Sequence, residues 1–260
     1  MGDLRPDRNK PKGFVRRVLP KLHLLPFAIL FVLMIRVLRP IIAIRLGPIP
    51  STLIGNLAPD PEVYLCERDA GMHGRRIFDI FCFQGDVANQ QLQKMWTRSQ
   101  RVHQLASVPD RFNRWLPGGQ GNKIPMREYQ HRDVHGLLAN TEPHLSFTGE
   151  EERSGAEYLR NSGVDENSRF ICFHSRDSLY RKAILPDRDA SHNDYRDSNI
   201  LNYLPVVEAL ANKGYFAFRM GAVVEGRLPE TNSRIIDYAS DDRTEFLDIY
   251  LAAKCRFFLG

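Results

Sequence analysis

The apolar positions of the second half of the chain fall into short runs separated by longer amphipathic stretches. The runs predict four strands, at 169–174, 215–219, 235–238 and 255–259. The stretches between them predict helices at 200–213 and 244–253, the first of which ends at Gly214. Strands that alternate with helices favour a parallel, doubly wound α/β sheet.

A capping signal opens this half. Thr148 is followed by Glu151 three residues on, the spacing of a capping box, and Gly163 follows the amphipathic stretch. A helix is therefore predicted from Thr148 to about Asn161.

The first half repeats the order of strand and helix. Strands are predicted at 41–47, ending at Gly47, and at 76–83, closed by Gly85; helices are predicted at 53–57 and 87–100. Residues 109–150 are rich in Pro, Gly, Asn and His and predict irregular structure, apart from an apolar group at 134–138 that could be helical. The expected organisation is an arm with a helix at 1–40, a Rossmann-like lobe at 41–147 and a second at 148–260.

The predicted helix near the N terminus is strongly apolar. Residues 24–35 form 12 uncharged positions, which span roughly 18 Å as a helix at about 1.5 Å per residue. A bilayer core of about 30 Å needs about 20 such residues, and extension brings in Arg36, Arg39 and Pro40. No small-residue cleavage site follows. An interfacial or re-entrant anchor is favoured, with a single span and a buried helix as alternatives.

Positive charge is concentrated at the same end. The net charge is +5, and residues 1–50 contain ten Lys and Arg but only two acids, Asp3 and Asp7. A basic arm on a mildly acidic body favours an anionic membrane surface over nucleic acid, which would need basic residues across the folded face. The four cysteines, at 66, 82, 172 and 255, show no Cys-x-x-Cys spacing. They predict buried, reduced thiols rather than a zinc site or disulfides.

Polar residues follow the predicted strands of the second half, at 174–178, 219–222 and 237–240. The carboxyl ends of parallel strands meet at one edge, where ligands of such sheets bind. An arginine fork, a glycine that allows close backbone approach and an acid for ribose or base are what a nucleotide diphosphate requires. The segment Ser240–Thr244 favours a cap for the next helix over a metal site.

The segments 174–178, 194–203 and 218–221 resemble a group of bacterial proteins assigned as glycosyltransferases of surface carbohydrate synthesis, and the likeness extends upstream to 45–47 and 54–57. A looser likeness is to heptosyltransferase-type GT-B enzymes, over Asp237 to Gly260. A third is to fucosyltransferases with a His-x-Arg-x-x-Asp element. His174 and Arg176 match that element, but Asp177 stands two positions early and Leu occupies position 179.

The resemblance implies a GT-B-like glycosyltransferase that takes a nucleotide-diphosphate sugar as substrate, with no cofactor and no metal ion. The acceptor would be lipid-linked or part of a surface glycan, at the cytoplasmic face of the inner membrane. The implied donor-binding residues are His174, Arg176, Asp177, Arg219, Gly221, Asp237, Ser240 and Gly260. The acids nearest the expected cleft, as candidates for the catalytic base, are Asp60 and Glu62.

The end of the chain and the competing functions complete these expectations. In the heptosyltransferase-like pattern the glycine that corresponds to Gly260 opens a phosphate-holding loop, which implies a C-terminally truncated sequence. A non-catalytic, membrane-tethered scaffold that binds a nucleotide or a partner is the main alternative. A nucleic-acid binder that uses the basic arm is the third.

Overall fold

The computed structural model describes residues 24–74, 76–126, 132–176, 179, 195, 197–224, 226–241 and 243–260. The chain divides into two compact units, Met1–Ser146 and Phe147–Gly260, and each is described by itself. Both contain parallel strands connected through helices, which confirms the predicted α/β class. The basic residues of the arm before position 24 lie outside the described residues.

The first unit is built on two long parallel strands. Its elements are α1 (Leu25–Val37), β1 (Ala43–Pro50), α2 (Ile54–Leu57), α3 (Pro59–Asp69), β2 (Ile77–Gln84), α4 (Gln90–Ser99) and α5 (Ser107–Trp115). β1 and β2 pair from Ala43↔Ile77 to Pro50↔Gln84. Single parallel bridges extend the sheet on each side, from Leu46 to Lys123 and from Phe81 to Val102.

β1 does not end at Gly47 as predicted but continues through Pro48 to Pro50. Successive residues of a strand point their backbone groups to opposite sides, and the Ala43 N–H donates to Arg76 on the β2 side (2.8 Å). Pro48 and Pro50 therefore face the other side, where the Leu46 carbonyl accepts from the Ile124 N–H (2.8 Å). A proline that faces away from the main ladder removes no hydrogen bond from it, so the strand continues.

The predicted irregular region contains more order than expected. α5 crosses the predicted boundary at 109, and a 3₁₀ turn at Gly119–Asn122 lies beyond it. Lys123 then joins the sheet. The helix allowed at 134–138 is wrong. The Asp133 carboxylate accepts hydrogen bonds from the backbone N–H of Leu137 (2.8 Å) and Leu138 (3.0 Å), and this closes a turn in place of a helix.

α1 packs against the first unit by one face only. Ala28, Val32 and Ile35 are buried, and Ile35 lies in a cluster with Leu46 and Cys82. The opposite face is apolar and exposed at Phe27, Leu30, Leu33, Met34 and Val37. No helix among the described residues is long and apolar enough to cross a membrane.

The second unit contains a four-stranded parallel sheet. Its elements are α6 (Gly149–Asn161), β3 (Phe170–Phe173), a 3₁₀ turn (Ile200–Tyr203), α7 (Leu204–Asn212), β4 (Phe216–Arg219), β5 (Ile235–Ile236), α8 (Glu245–Lys254) and β6 (Phe258–Leu259). The strand order is β5-β4-β3-β6. All four predicted strands and the three predicted helices are confirmed, with ends moved by a few residues.

Both faces of this sheet are covered, which explains the continuous apolar run of β3. Phe170 and Cys172 lie in a cluster with Leu251 of α8, whereas Ile171 and Phe173 lie in a second cluster with Val207 of α7. Alternate residues of a strand point to opposite faces, so a strand buried on both sides has no polar positions. All four cysteines are free; Cys66, Cys82 and Cys172 are buried as predicted, whereas Cys255 is partly exposed.

The residues expected from the sequence to begin and end these helices do so in the structure. The Thr148 hydroxyl accepts from the Glu151 N–H and the Glu151 carboxylate accepts from the Thr148 N–H, a complete capping box. Gly163 and Gly214 follow their helices at φ +80° and +93°, a backbone conformation in which residues other than glycine are strained.

The two glycines of α6 give a matched test of its packing on α8. A Cβ at Gly155 would come within 2.3 Å of the Tyr250 ring, whereas a Cβ at Gly149 would meet nothing within 4 Å. Tyr250 is buried and cannot swing away freely. We expect Gly155→Ala to lower the free energy of unfolding by about 1–2 kcal/mol despite the better helix propensity of alanine. Urea unfolding would measure this, and Gly149→Ala should be neutral or slightly stabilising; equal effects would contradict the described packing.

Candidate functional site at the strand ends of the second unit

The segments that follow the four parallel strands lie side by side at one edge of the sheet. The Met220 N–H donates to the Phe173 carbonyl oxygen (2.8 Å), and the His174 N–H donates to the Leu259 carbonyl oxygen (2.9 Å). On the far side the Ala239 N–H donates to the Arg219 carbonyl oxygen (3.1 Å). The predicted convergence of these polar segments is therefore present in the structure.

His174 stands at the end of the central strand β3. Its Nδ1 lies 3.0 Å from the Met220 carbonyl oxygen. Because a carbonyl oxygen only accepts, Nδ1 carries the proton and donates. In the neutral ring Nε2 then has the lone pair and can accept a hydrogen bond or a proton.

Gly221 follows β4 and is held in a tight space. A Cβ there would lie 2.5 Å from Cγ1 of Val224 and 3.8 Å from Nδ1 of His174. A larger residue at position 221 would therefore have to displace Val224 within the same turn, whereas His174 lies at an ordinary contact distance. Close approach of a ligand to the backbone of Gly221 stays a prediction.

Arg219 and Asp237 pair with each other. Arg219 is 3% exposed, and its Nη1 lies 3.3 Å from both carboxylate oxygens of Asp237. The same nitrogen donates to the Gly226 carbonyl oxygen (2.8 Å), and the Leu228 N–H donates to Asp237 (2.9 Å). The pair joins the ends of β4 and β5. Donor binding by these two residues stays a prediction, and their contacts give them a structural role.

Arg176 is placed differently. Its Nε lies 3.6 Å from Asp197 Oδ1, and its backbone carbonyl accepts from the Ser198 N–H (2.9 Å). Its Nη1 is buried and has no hydrogen-bond partner within the part of the chain that the structure describes. Asp177, the next predicted donor-binding residue, lies outside that part.

The remaining predicted residues of this edge make backbone contacts. The Ser240 N–H donates to the Asp237 carbonyl oxygen (3.0 Å), and a Cβ at Gly260 would lie 3.3 Å from the His174 carbonyl oxygen. The turn after Ser240 leads to Thr244, whose hydroxyl caps α8 by accepting from the Leu247 N–H (3.1 Å). The predicted cap is thus confirmed at Thr244.

The two acids proposed as catalytic bases lie in the first turn of α3, in the first unit. Asp60 is 1% exposed and accepts from Nδ2 of Asn56 (3.0 Å). Glu62 is partly exposed, and its Oε1 accepts from the backbone N–H of His144 (3.0 Å). Neither contact tests a catalytic role, but the burial of Asp60 makes it the harder of the two to reach.

Sequence reasoning missed a buried polar network in the first unit. Arg45 Nε and Nη2 donate to the two carboxylate oxygens of Asp79 at 2.7 and 2.9 Å, and the Tyr64 hydroxyl contacts both residues. Burial raises the pKa of Tyr64, and the Asp79 carboxylate raises it further. A signal was available: Arg45 and Asp79 each interrupt an apolar strand, and buried charges need partners.

Comparisons with known protein families, with curated proteins and with solved structures find no match.

The Arg219–Asp237 pair makes a stability prediction with an internal control. Asp237→Asn leaves a buried guanidinium without its counter-charge, and we expect a loss of about 3 kcal/mol in the free energy of unfolding. Asp241 pairs with Arg227 at 2.7 Å, but both side chains are largely exposed, so Asp241→Asn should change stability by less than about 1 kcal/mol. Denaturant unfolding measures both. A small effect of Asp237→Asn would show that the pair does not hold the strand ends together.

Proposed function

We propose that this chain is a glycosyltransferase that binds a nucleotide-diphosphate sugar at the strand ends of the second unit. The observation that carries the proposal is the Nη1 group of Arg176, which is buried without a hydrogen-bond partner among the described residues. A buried, charged N–H group that lacks an acceptor is costly, and it points to a ligand that supplies one. Phosphate oxygens are favoured acceptors for arginine.

The surroundings of Arg176 support an anionic ligand of this kind. Arg219, at the end of β4, is neutralised by Asp237, whereas Arg176 meets Asp197 only at 3.6 Å. Gly221 follows the neighbouring strand β4 and has no side chain to cover this edge. A diphosphate placed here would meet one guanidinium and the polar backbone of the strand ends, the groups that stabilise a leaving diphosphate without a metal ion.

The topology supports two Rossmann-like lobes. When the strands of the second unit are numbered in chain order, they lie across the sheet in the order third, second, first, fourth. If Val102 and Lys123 are counted as the third and fourth strands of the first unit, that unit has the same order. Ligands of such sheets bind where the strand order reverses, next to the first strand. In the second unit this position is the end of β3, which His174 and Arg176 follow.

In the proposed reaction the acceptor hydroxyl attacks the anomeric carbon of the donor sugar. The bond from that carbon to the diphosphate breaks, and the diphosphate leaves with the electron pair, stabilised by Arg176. A base removes the hydroxyl proton. Asp60 and Glu62, the acids named from the sequence, stay predictions for this base; Asp60 is 1% exposed, and the Glu62 carboxylate contacts His144.

The binding test uses Arg176→Ala. Loss of a hydrogen bond to a charged group costs about 1.5–3 kcal/mol, so we expect UDP-, GDP- or ADP-sugar binding to weaken by roughly 10- to 150-fold for whichever donor the unaltered chain binds. Isothermal titration measures the affinity. Arg153→Ala is the matched control because Arg153 is exposed on α6, and this change should leave the affinity unaltered.

Two outcomes would overturn the proposal or redirect it. If the full chain binds none of the three sugar nucleotides, or if both variants bind as the unaltered chain does, donor binding at Arg176 is wrong. Binding without transfer of a radiolabelled sugar to a lipid extract would favour the non-catalytic scaffold.

We also propose that α1 lies on an anionic membrane surface, where a lipid-linked acceptor would be found. Its outward face exposes five large apolar side chains, and the preceding arm is basic in sequence. A groove of about 490 Å³ beside α1 is lined mainly by apolar side chains, among them Phe27, Phe31, Ile80 and Leu105. Apolar area together with basic charge is the combination that holds interfacial helices.

Leu30 and Val134 allow a matched test of this surface. Leu30 is 67% exposed on α1, and Val134 is 76% exposed elsewhere in the same unit. Leu30→Glu removes a side chain whose burial is worth about 1.5–3 kcal/mol, so co-sedimentation with anionic lipid vesicles should weaken at least about tenfold. Val134→Glu adds the same charge and should have little effect. Equal losses would mean that added negative charge, and not the face of α1, sets the affinity.

A further inference from the structure

α3 presents three potential ligands along one face. Glu62, Cys66 and Asp69 follow each other at spacings of four and three residues, which places them one above another on a helix. His144 lies against this face from the segment that precedes the second unit. All four residues belong to the first unit, whereas the strand ends described above belong to the second.

His144 is held on both sides of its ring by carboxylates. Its Nδ1 lies 3.0 Å from Oε1 of Glu62, and its Nε2 lies 3.0 Å from Oδ2 of Asp69. The His144 backbone N–H donates to the same Glu62 oxygen (3.0 Å). The ring is largely buried, with 12% of its side chain exposed.

A neutral imidazole cannot satisfy both contacts. It has one N–H donor and one lone pair, so one ring nitrogen would direct a lone pair at a carboxylate oxygen. A second proton on the ring would remove this repulsion. A metal ion between Nδ1 and Glu62 would remove it as well.

The Cys66 thiol lies where a third ligand is needed. One donor atom from each of Glu62, Cys66 and His144 lies within 4.8 Å of the other two. Cys66 is 1% exposed, and its sulfur feels the negative charge of Glu62, Asp133 and Asp69. A cation bound beside this sulfur would supply the positive charge that a thiolate ligand needs among carboxylates.

We propose that Glu62, Cys66 and His144 bind a divalent transition-metal ion of the zinc type. Zinc takes oxygen and nitrogen ligands at about 2.0–2.2 Å in a tetrahedron, which sets such atoms about 3.3 Å apart, close to the 3.0 Å between Oε1 and Nδ1. A mixed set of nitrogen, sulfur and oxygen ligands favours zinc or cobalt over magnesium or calcium. The ion displaces the Cys66 proton to solvent and leaves one tetrahedral position for water.

Asp69 completes the arrangement from the second coordination shell. With the ion on Nδ1, Nε2 would carry the proton and donate a hydrogen bond to Asp69. This carboxylate–histidine–metal arrangement orients many metal ligands. The site would fasten residues near 144 to α3. It assigns Glu62 a role other than general base, and it is independent of donor binding at the strand ends, where the proposed chemistry needs no metal.

The spacing explains why sequence reasoning predicts no zinc here. The ligands stand at positions 62, 66 and 144, with a single cysteine and no Cys-x-x-Cys pair. The chain has to bring the segment around His144 onto α3 before the site exists.

The test is titration of the chelator-stripped full chain with Zn²⁺ and with Co²⁺. We expect one ion per chain, a thiolate-to-cobalt charge-transfer absorption, and a higher Tm with Zn²⁺. Cys66→Ser should abolish the charge-transfer absorption, and Asp69→Asn should weaken Zn²⁺ binding by about 10- to 100-fold. His135→Ala is the matched control because His135 is exposed in the same segment, and it should bind as the unaltered chain does.

The unaltered chain decides the question even if a ligand variant fails to fold. Absence of stoichiometric binding, or cobalt binding without a thiolate absorption, would overturn the proposal. Loss of the metal site would leave sugar-nucleotide binding untouched, so a failure here and a failure of the proposed function are separable.

Discussion

The buried ion pair between Arg219 and Asp237 holds the ends of β4 and β5 together in the second unit. β4 and β5 are short, with four and two residues, and few ladder hydrogen bonds secure their ends. The pair, with the Gly226 and Leu228 backbone bonded to it, fixes the turns that follow these strands. A buried pair of this kind contributes little net stability compared with apolar packing, but breaking it is costly. The pair therefore fixes the conformation of this edge more than it adds stability. Arg176 follows the neighbouring strand β3, and its buried Nη1 has no hydrogen-bond partner among the described residues.

The strands and helices of the second unit could be predicted from the sequence because local and tertiary preferences agree there. The run at 169–174 is buried on both faces, and the helices carry the caps expected from Thr148 and Thr244. The errors lie where a tertiary contact overrides a local signal. Pro48 and Pro50 extend a strand because they face away from its ladder, and the Asp133 carboxylate replaces a helix by a turn. No local pattern reports which way a proline faces in a sheet.

In the candidate sites, too, the contacts made in the folded chain could not be predicted from local sequence patterns. Convergence of 174–178, 219–222 and 237–240 follows from parallel topology alone and could be predicted. The partners within that edge could not: Arg219 is taken by Asp237, and Arg176 is not neutralised in the same way. In the first unit, Glu62 and His144 stand 82 residues apart. Only the folded chain brings them together with Cys66, so the proposed metal site has no counterpart in the sequence pattern.

In the function proposed for this chain, the ends of β3 and β4 bind the diphosphate of a donor through Arg176. A crystal structure of the full chain with a nucleoside diphosphate would test this binding most directly. We expect phosphate oxygens within hydrogen-bond distance of Arg176 Nη1, next to the turn at Gly221. A diphosphate bound elsewhere in the chain, with Arg176 turned to another protein acceptor, would contradict it.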